Sequence, residues 1–394
     1  MVNFVSNIPD MDSIYLDNAA TTQVRDEVIN AMSSVLKSNY GNASSTHGFG
    51  RSSKSIIESC RKRIASHFNV SASEIIFTSG GTEADNLVLK SAVKDLKVTH
   101  IITSKLEHHA VLHTVEQLET DYKIKVSYVS VLSDGSLDYN HLETLFDTKE
   151  KTLVSLMHVN NEIGTILNLQ KVANLCKSSG ALFHSDSVQS VGHYQLDLST
   201  IPIDFLAASA HKFHGPKGIG FVFIRKNSGL KPLIHGGMQE RGVRAGTESI
   251  HDIVGLDTAL ALSYQNLEAE MTQVKALKAY FIEQLKINIE GVKFNGSCSD
   301  FDMSTYTLVN VCLPVSEDNA PMFLFQLDMK GVACSKGSAC QSGSAKGSHV
   351  LTQILSDDDL KKPSLRFSFS IYNTKEEIDN VVEILTELVN SISP

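Results

Sequence analysis

The chain has no tryptophan and only eight prolines and six cysteines in 394 residues. The missing tryptophan excludes nothing. The scarce cysteines exclude a disulfide framework: none form a CxxC pair, and no Cys/His set has the spacing of a zinc site. A reducing, cytoplasmic compartment is therefore expected. Positive charge is also short, with 35 Lys and Arg against 44 Asp and Glu and a net charge of -9. That balance argues against a nucleic-acid groove and against a polybasic membrane patch. No apolar run approaches the ~20 residues of a membrane span, and no apolar segment follows a basic start, so neither a span nor a signal peptide is expected. The patterns GxxxxGK[ST], GxGxxG and HExxH are absent. Any phosphate site here is thus neither a P-loop nor the dinucleotide fingerprint.

What is present is a large apolar fraction, 42%, enough for one large domain or a large and a small one. Strand-like and helix-like stretches alternate from about Ser73 to Arg225. "EIIFTSGG" leads into "TEADNLVLKSAV", "THIITSKLEH" into "AVLHTVEQLE", and "LVSLMHVNNE" into "LQKVANLCKSSG". "ALFHSDS", "DFLAASA" and "GFVFIR" read as further strands. Such alternation predicts a mostly parallel sheet flanked by helices. The periodic stretch from Ile253 to Ile289 predicts one long helix leading to a second unit. That unit has strands in "TLVNVCLP" and "LRFSFS" and ends in a helix, "KEEIDNVVEILTELVNSI". Cys60, Cys176 and Cys312 lie in apolar patterns and are expected in the core.

Polar residues collect where the strands end: Thr82, His108, Asn161, Asp186 and Lys212. In an open parallel sheet the ligand crevice lies at the carboxyl ends of the strands. Lys212 stands in "SAHKFHGPKGIG", between two buried strands. It reads either as a solvated loop lysine or as an amine held out of water, where it loses its proton more easily and becomes a nucleophile. "TSGGTEADN" reads either as an ordinary capped helix or as an anion site at a helix start, with Thr82 as the cap. Asp186, at the end of a buried strand, needs a cation: a basic side chain or a protonated ring nitrogen. His108 has the chemistry to lie on an aromatic ring or to move protons. His109 and His113, at i and i+4, suggest a metal, but no HExxH frame supports one, and none is expected. One cofactor uses an amine-reactive lysine, a phosphate cradle, an acid on a ring nitrogen and a stacked group together: pyridoxal phosphate.

These motifs resemble the cysteine desulfurases of the NifS-like group, within the class V aminotransferases. The matching segments are "YLDNAATT", "TSGGTEADN", "HVNNEIG", "HSDSVQSVG", "SAHKFHGPKGIG", "ERGVRAGTES", "GSACQSGS" and "LRFSFS", in order across nearly the whole chain. The resemblance implies a PLP-dependent transferase type I α/β fold. Its large domain would span 16–264. A smaller α+β domain, 1–15 with 265–394, would carry a catalytic cysteine loop at about 335–348. It also implies site roles. Lys212 would form a Schiff base with pyridoxal phosphate and shuttle a proton. Asp186 would meet the pyridine nitrogen and Gln189 the ring hydroxyl, with His108 stacked on the ring as a further catalytic group. Gly81, Thr82, Ser209 and His211 would hold the phosphate, joined by Thr247 from the partner of a homodimer. Asn161 and Arg366 would grip the substrate carboxylate; the alternative for Arg366 is a surface charge at a strand edge. Cys340 would take the sulfur of L-cysteine as a persulfide, leaving L-alanine. The acceptor beyond it would be an iron–sulfur scaffold or a tRNA-thiolation carrier. The rival activities are a selenocysteine lyase and an aminotransferase. The sequence departs from the family at Ala43, where proline is usual, and at Met238, where glycine is common. Cys334 adds a thiol six residues before Cys340. The chain also ends soon after its last helix, whereas members that feed an iron–sulfur scaffold often carry a longer tail, so the acceptor stays open.

Overall fold

A computed structural model describes residues 13–146, 149–336 and 347–392. Cys340 lies outside the described residues, as does most of the segment 335–348. In chain order the first elements are β1 (Ile14–Tyr15), α1 (Asp26–Ser38), α2 (Gly48–His67), β2 (Ile75–Thr78), α3 (Gly81–Lys94), β3 (His100–Thr103) and α4 (His109–Tyr122). Next come β4 (Lys125–Tyr128), α5 (Tyr139–Thr144), β5 (Thr152–Ser155), α6 (Leu169–Ser179), β6 (Leu182–Asp186), β7 (Phe205–Ser209) and β8 (Gly220–Ile224). The remainder is α7 (Ile250–Gln265), α8 (Leu267–Asn288), β9 (Lys293–Phe294), β10 (Leu308–Cys312), α9 (Ala320–Met329), β11 (Val332–Ala333), α10 (Asp357–Leu360), β12 (Ser364–Ser368) and α11 (Lys375–Ile392).

The central sheet has the order β2-β8-β7-β6-β5-β3-β4. Its strands are parallel except β8, which runs against both neighbours. This is the mostly parallel α/β sheet expected from the alternation. The strands are apolar on both faces because helices cover both. Alternate residues serve different cores. Ile76, Ile101, Leu153 and Phe205 pack with α3 and α4. Phe77, Ile102, Val154 and Leu206 face the opposite core, with α2, α6 and α7. A separate core joins Ile14 and Leu16 to α8, α11 and the antiparallel set β12-β10-β9. Cys60, Cys176 and Cys312 are buried, as expected.

The single long helix expected over 253–289 is two helices. α7 ends at Gln265 and α8 starts at Leu267, with Asn266 off helical geometry (φ -106, ψ 9). The chain changes partners here: Ile253, Leu256 and Leu260 pack beneath the central sheet, whereas Val274, Phe281 and Leu285 pack in the other core. One continuous stripe would have to face both, so the helix breaks. Periodicity alone does not reveal such a change of partner.

One buried ion pair fastens the loop ahead of α7 to the sheet. Arg61 on α2 meets Glu240 with both terminal nitrogens at 2.7 Å, and Glu240 also accepts from the Phe77 amide at 2.8 Å. Both side chains are buried. Breaking a buried pair from one side costs about 3–5 kcal/mol. Glu240→Ala should lower the unfolding free energy by that amount in a urea titration. A loss below about 1 kcal/mol, the worth of a surface pair, would show that the contact contributes little.

Candidate active site

The sheet's direction decides where the polar residues meet. β2, β3, β5, β6 and β7 run the same way, so the residues that follow them emerge along one edge. Thr82, His108, Asn161, Asp186 and Lys212 all lie on that edge. Lys212 ends a short helical turn, Ala210–Lys212, directly after β7. Its ammonium donates to the carbonyls of Ala19 at 2.5 Å and Ala20 at 2.8 Å. Gln189 Nε2 donates to the same Ala19 carbonyl at 2.9 Å. The "DNAATT" segment therefore lies against both Lys212 and Gln189, a contact the sequence reading missed although it singled out the motif.

Asp186 is the last residue of β6 and is only 5% exposed. Its Oδ1 accepts from the Val188 amide at 3.0 Å. Burial pushes its carboxyl up, while His108, the Val188 amide and the Lys212 ammonium pull it back toward the charged form. His108 caps α4, with Nδ1 accepting from the Ala110 amide at 3.2 Å. Burial lowers its pKa, so the neutral ring carries its proton on Nε2, the nitrogen left for other partners.

The amino end of α3 departs from expectation. The helix begins at Gly81, and its cap position is Gly80 rather than Thr82. Gly80 has φ +150, which a side chain would resist. This turn starts the helix earlier and leaves Thr82 in its first turn. A Cβ on Gly220 would lie 2.8 Å from Gly80 Cα and 2.3 Å from the Ala208 carbonyl. Glycine is thus required where β8 passes the α3 start. Ser209 Oγ stands 3.4 Å from where a Gly80 Cβ would be. The first-turn amides of α3, which no helix satisfies internally, therefore open beside a hydroxyl. His211 joins this edge with a buried Nδ1 that has no hydrogen-bond partner among the described residues. Burial, helped by the Lys212 and Lys217 charges, lowers its pKa to about 4.

These residues fit pyridoxal phosphate. A helix start with Gly81, Thr82, Ser209 and His211 suits the phosphate, a buried carboxylate suits a protonated ring nitrogen, and a lysine amine on the same edge suits the aldehyde. Thr247 stands exposed in the loop before α7, and no hydrogen bond among the described residues ties its side chain to this set. The rings of His109, His113 and His349 gather, with centroids 4.8 and 4.5 Å from His109. Among the described residues no group of three His, Cys, Asp or Glu is placed to hold a metal.

Arg366 is buried in β12, 1% exposed, rather than a surface charge at a strand edge. Nη1 donates to the Asn161 carbonyl at 2.7 Å and Nη2 to Asp17 Oδ1 at 2.8 Å. Its Nε is buried without a partner among the described residues. Asp17 is a second residue that sequence reasoning missed. A buried arginine demands an acid, and Asp17 sits inside "YLDNAATT", so the signal was available. Cys334 follows β11, packs against the core of α8 and α11, and has its thiol pushed up by burial.

Neutral buried imidazoles also make stability depend on pH. His158 and His214 are buried and their pKa values fall to about 4, through burial first. The folded form binds fewer protons than the unfolded chain, whose histidines titrate near 6.5. Stability is thus complete above pH ~6.5 and falls as pH drops toward 4. At pH 5 each should remove about 2 kcal/mol. Urea unfolding at pH 7 and pH 5 measures the loss, and His214→Gln should flatten it; an unchanged slope would show that His214 titrates normally.

The class-V aminotransferase family pattern matches residues 14–381. The cysteine desulfurase IscS of Dictyoglomus turgidum is 40% identical over 386 residues, covering 97% of this chain and 96% of that protein. The putative cysteine desulfurase IscS 1 of Bacillus subtilis is 39% identical, covering 97% of this chain and all of that protein (100%). Among solved structures, a NifS-like protein superposes with a TM-score of 0.87 at 33% identity, covering 96% of this chain and 100% of that one. The NifS-like protein from Rickettsia africae gives 0.83 at 29% identity, covering 96% and 99%. With its type I sheet, its lysine and acid on one edge and these relatives along its whole length, the chain belongs to the class-V aminotransferase family, whose enzymes work with pyridoxal phosphate.

Proposed function

We propose that the protein is a cysteine desulfurase that converts L-cysteine to L-alanine and takes the sulfur onto Cys340 as a persulfide. The observation that carries this reading is the edge shared by Lys212, Asp186 and the α3 start, in a chain 40% identical over 97% of its length to an enzyme named cysteine desulfurase. When bound there, pyridoxal phosphate supplies an aldehyde that joins amines and a protonated ring that accepts electrons. Lys212 gives the resting amine and then carries the substrate Cα proton, as base and afterwards as acid. Asp186 would hold the proton on the ring nitrogen, Gln189 would meet the ring hydroxyl, and His108 would stack on the ring. Gly81, Thr82, Ser209 and His211 would receive the phosphate. Arg366, with Asn161 beside it, would receive the substrate carboxylate, which a planar guanidinium suits; Nη1 and Nη2 each spend one N–H on the Asn161 carbonyl and Asp17 and keep a second. The Cys340 thiolate attacks the substrate sulfur. The C–S bond breaks, an S–S bond forms, and the carbon left behind is reprotonated as alanine.

The same proposal assigns 16–264 to the cofactor-binding unit and 1–15 with 265–394 to a smaller unit, in line with the separate core of α8 and α11. It also assigns a homodimer in which Thr247 serves the partner's phosphate, a cytoplasmic location, and a protein acceptor for the sulfur. Among the described residues no helix is long and apolar enough to cross a membrane. The test is direct. Purified protein loaded with pyridoxal phosphate should turn L-cysteine into L-alanine in step with sulfide released by a thiol reductant. Transfer of the amino group to a keto acid, with no sulfur released, would sink the reading.

A further inference from the structure

Lys212 has a neighbour that the proposed reaction does not use. His193 directly follows "HSDSVQSVG", on the turn after β6 that also carries Gln189. Its Nε2 lies 3.0 Å from the Lys212 carbonyl oxygen, and its Nδ1 lies 3.1 Å from the Tyr306 hydroxyl. Burial lowers the pKa of the ring, while the bond to the Lys212 carbonyl and the Glu270 charge offset this in part. The neutral ring has one N–H, and its two partners assign it. A carbonyl only accepts, so Nε2 donates to Lys212, and Nδ1 accepts from the Tyr306 hydroxyl.

The fold brings this chain of bonds together from two sides. Gly192 has φ +83, and a Cβ there would lie 2.5 Å from the Phe213 Cβ. Glycine thus lets the turn close onto the residue after Lys212. Tyr306 stands on the other side, 6% exposed, in the core of α8 and α11. Its neighbour Thr305 is held at three points. The Thr305 amide donates to the Gly164 carbonyl at 2.8 Å, its carbonyl accepts from buried Lys278 on α8 at 2.6 Å, and its hydroxyl accepts from Tyr194 at 3.0 Å. His193 therefore joins the Lys212 turn to a fixed point in the second core. The "DNAATT" segment holds the peptides on either side of Lys212: the Thr22 amide donates to the His211 carbonyl at 2.9 Å, and the His214 amide donates to Thr22 Oγ1 at 2.7 Å. The Lys212 carbonyl, between them, is held by His193.

We propose that His193 is a positioning residue for Lys212: its Nε2–H fixes the lysine's carbonyl, and through Tyr306 the second core sets the point from which the amine swings. His193 has this task only if Lys212 has the role proposed for it. The lysine amine would serve in two places, on the cofactor between turnovers and at the substrate Cα during them. It hangs on a flexible four-carbon stem, so its aim depends on a fixed backbone. A supporting hydrogen bond behind a working side chain supplies such a point. His193 acts through the backbone and not on the substrate, so its loss falls on kcat rather than on KM.

The experiment compares native protein, His193→Leu and His193→Gln, each loaded with pyridoxal phosphate. The readouts are the visible circular-dichroism band of the bound cofactor, kcat and KM for L-cysteine, and the melting temperature. The band reports how the site holds the cofactor and needs no turnover. His193→Leu should weaken the band by about half and lower kcat about tenfold, less than the ~100-fold cost of a misplacement by about 1 Å. KM should stay within about twofold of native. His193→Gln keeps an N–H in the place of Nε2 and should bring band and kcat to within about twofold of native. If His193→Leu melts early, the double variant His193→Leu with Tyr306→Phe takes its place, because it leaves no hydroxyl orphaned. A native band and native kcat in His193→Leu would overturn the proposal, as would His193→Gln no better than His193→Leu, or a loss confined to KM. A borohydride label away from Lys212 in native protein would overturn the role of Lys212 as well. A label on Lys212 beside an unmoved band would sink the His193 proposal alone.

Discussion

Lys212→Ala protein is expected to fold, to hold pyridoxal phosphate loosely and without its yellow colour, and to make no alanine from cysteine. The Lys212 amine carries two separate tasks in the proposed reaction. It would anchor the cofactor between turnovers and would move the Cα proton during them. Proton transfer by a placed group is worth about 10²–10⁴ in rate, and losing the covalent anchor comes on top, so turnover should fall by more than about 10⁴-fold. Folding should survive. The amine donates to the Ala19 and Ala20 carbonyls, and those oxygens can turn to water once it is gone. Melting and visible absorbance, measured together, separate loss of fold from loss of cofactor. A well-folded variant that still produces alanine at the native rate would remove pyridoxal phosphate chemistry from this site. Borohydride labelling of native protein gives a second readout: the label belongs on Lys212.

Cys340→Ser protein should keep cofactor and colour, still bind cysteine, and form neither alanine nor sulfide. Serine has no thiolate to attack the substrate sulfur, so the expected loss is essentially complete. Cys334→Ser should retain most of the activity, and the structure supplies the contrast. Cys334 directly follows β11, which pairs with β1 through Ile14 and Tyr15. The next residue, Ser335, exchanges backbone hydrogen bonds with Arg366 on β12, with N–O distances of 3.2 and 2.6 Å. The backbone at Cys334 is thus tied to two strands. Burial, and next Asp17, push its thiol up, and the Arg366 charge offsets this only in part. A thiol so placed resists ionising, and the thiolate is the nucleophile. Mass spectrometry of cysteine-treated enzyme should find the first persulfide on Cys340. A persulfide on Cys334, with Cys340→Ser still active, would reverse the assignment.

Much was legible from local pattern. The continuous apolar strands "DFLAASA" and "GFVFI" could only be buried on both faces, and the alternation of strand and helix then required a mostly parallel sheet. The placement of Asp186 and Lys212 at strand ends followed from the same reading. What the letters could not tell was where the chain changes partners. The stripe over 253–289 is equally helical on both sides of Asn266, yet its halves serve different cores. Likewise, "TSGGTEADN" named the helix start but not its first residue. The start was set by the φ of +150 at Gly80 and by the close passage of Gly220, a residue some 140 positions away.

The sequence by itself determined the chemistry of this protein: an amine, an acid and a phosphate cradle in strand-end order, with a thiol in a run of small residues. These are properties of side-chain type and of period along the chain, and both are local. Only the tertiary structure decided who holds whom. It set the Ala19 and Ala20 carbonyls on Lys212, Asp17 on Arg366 and Glu240 on Arg61. The partners in those pairs are more than 170 residues apart. Contacts at such separation depend on how the sheet orders its strands and how the two cores meet, and no window of sequence contains that information.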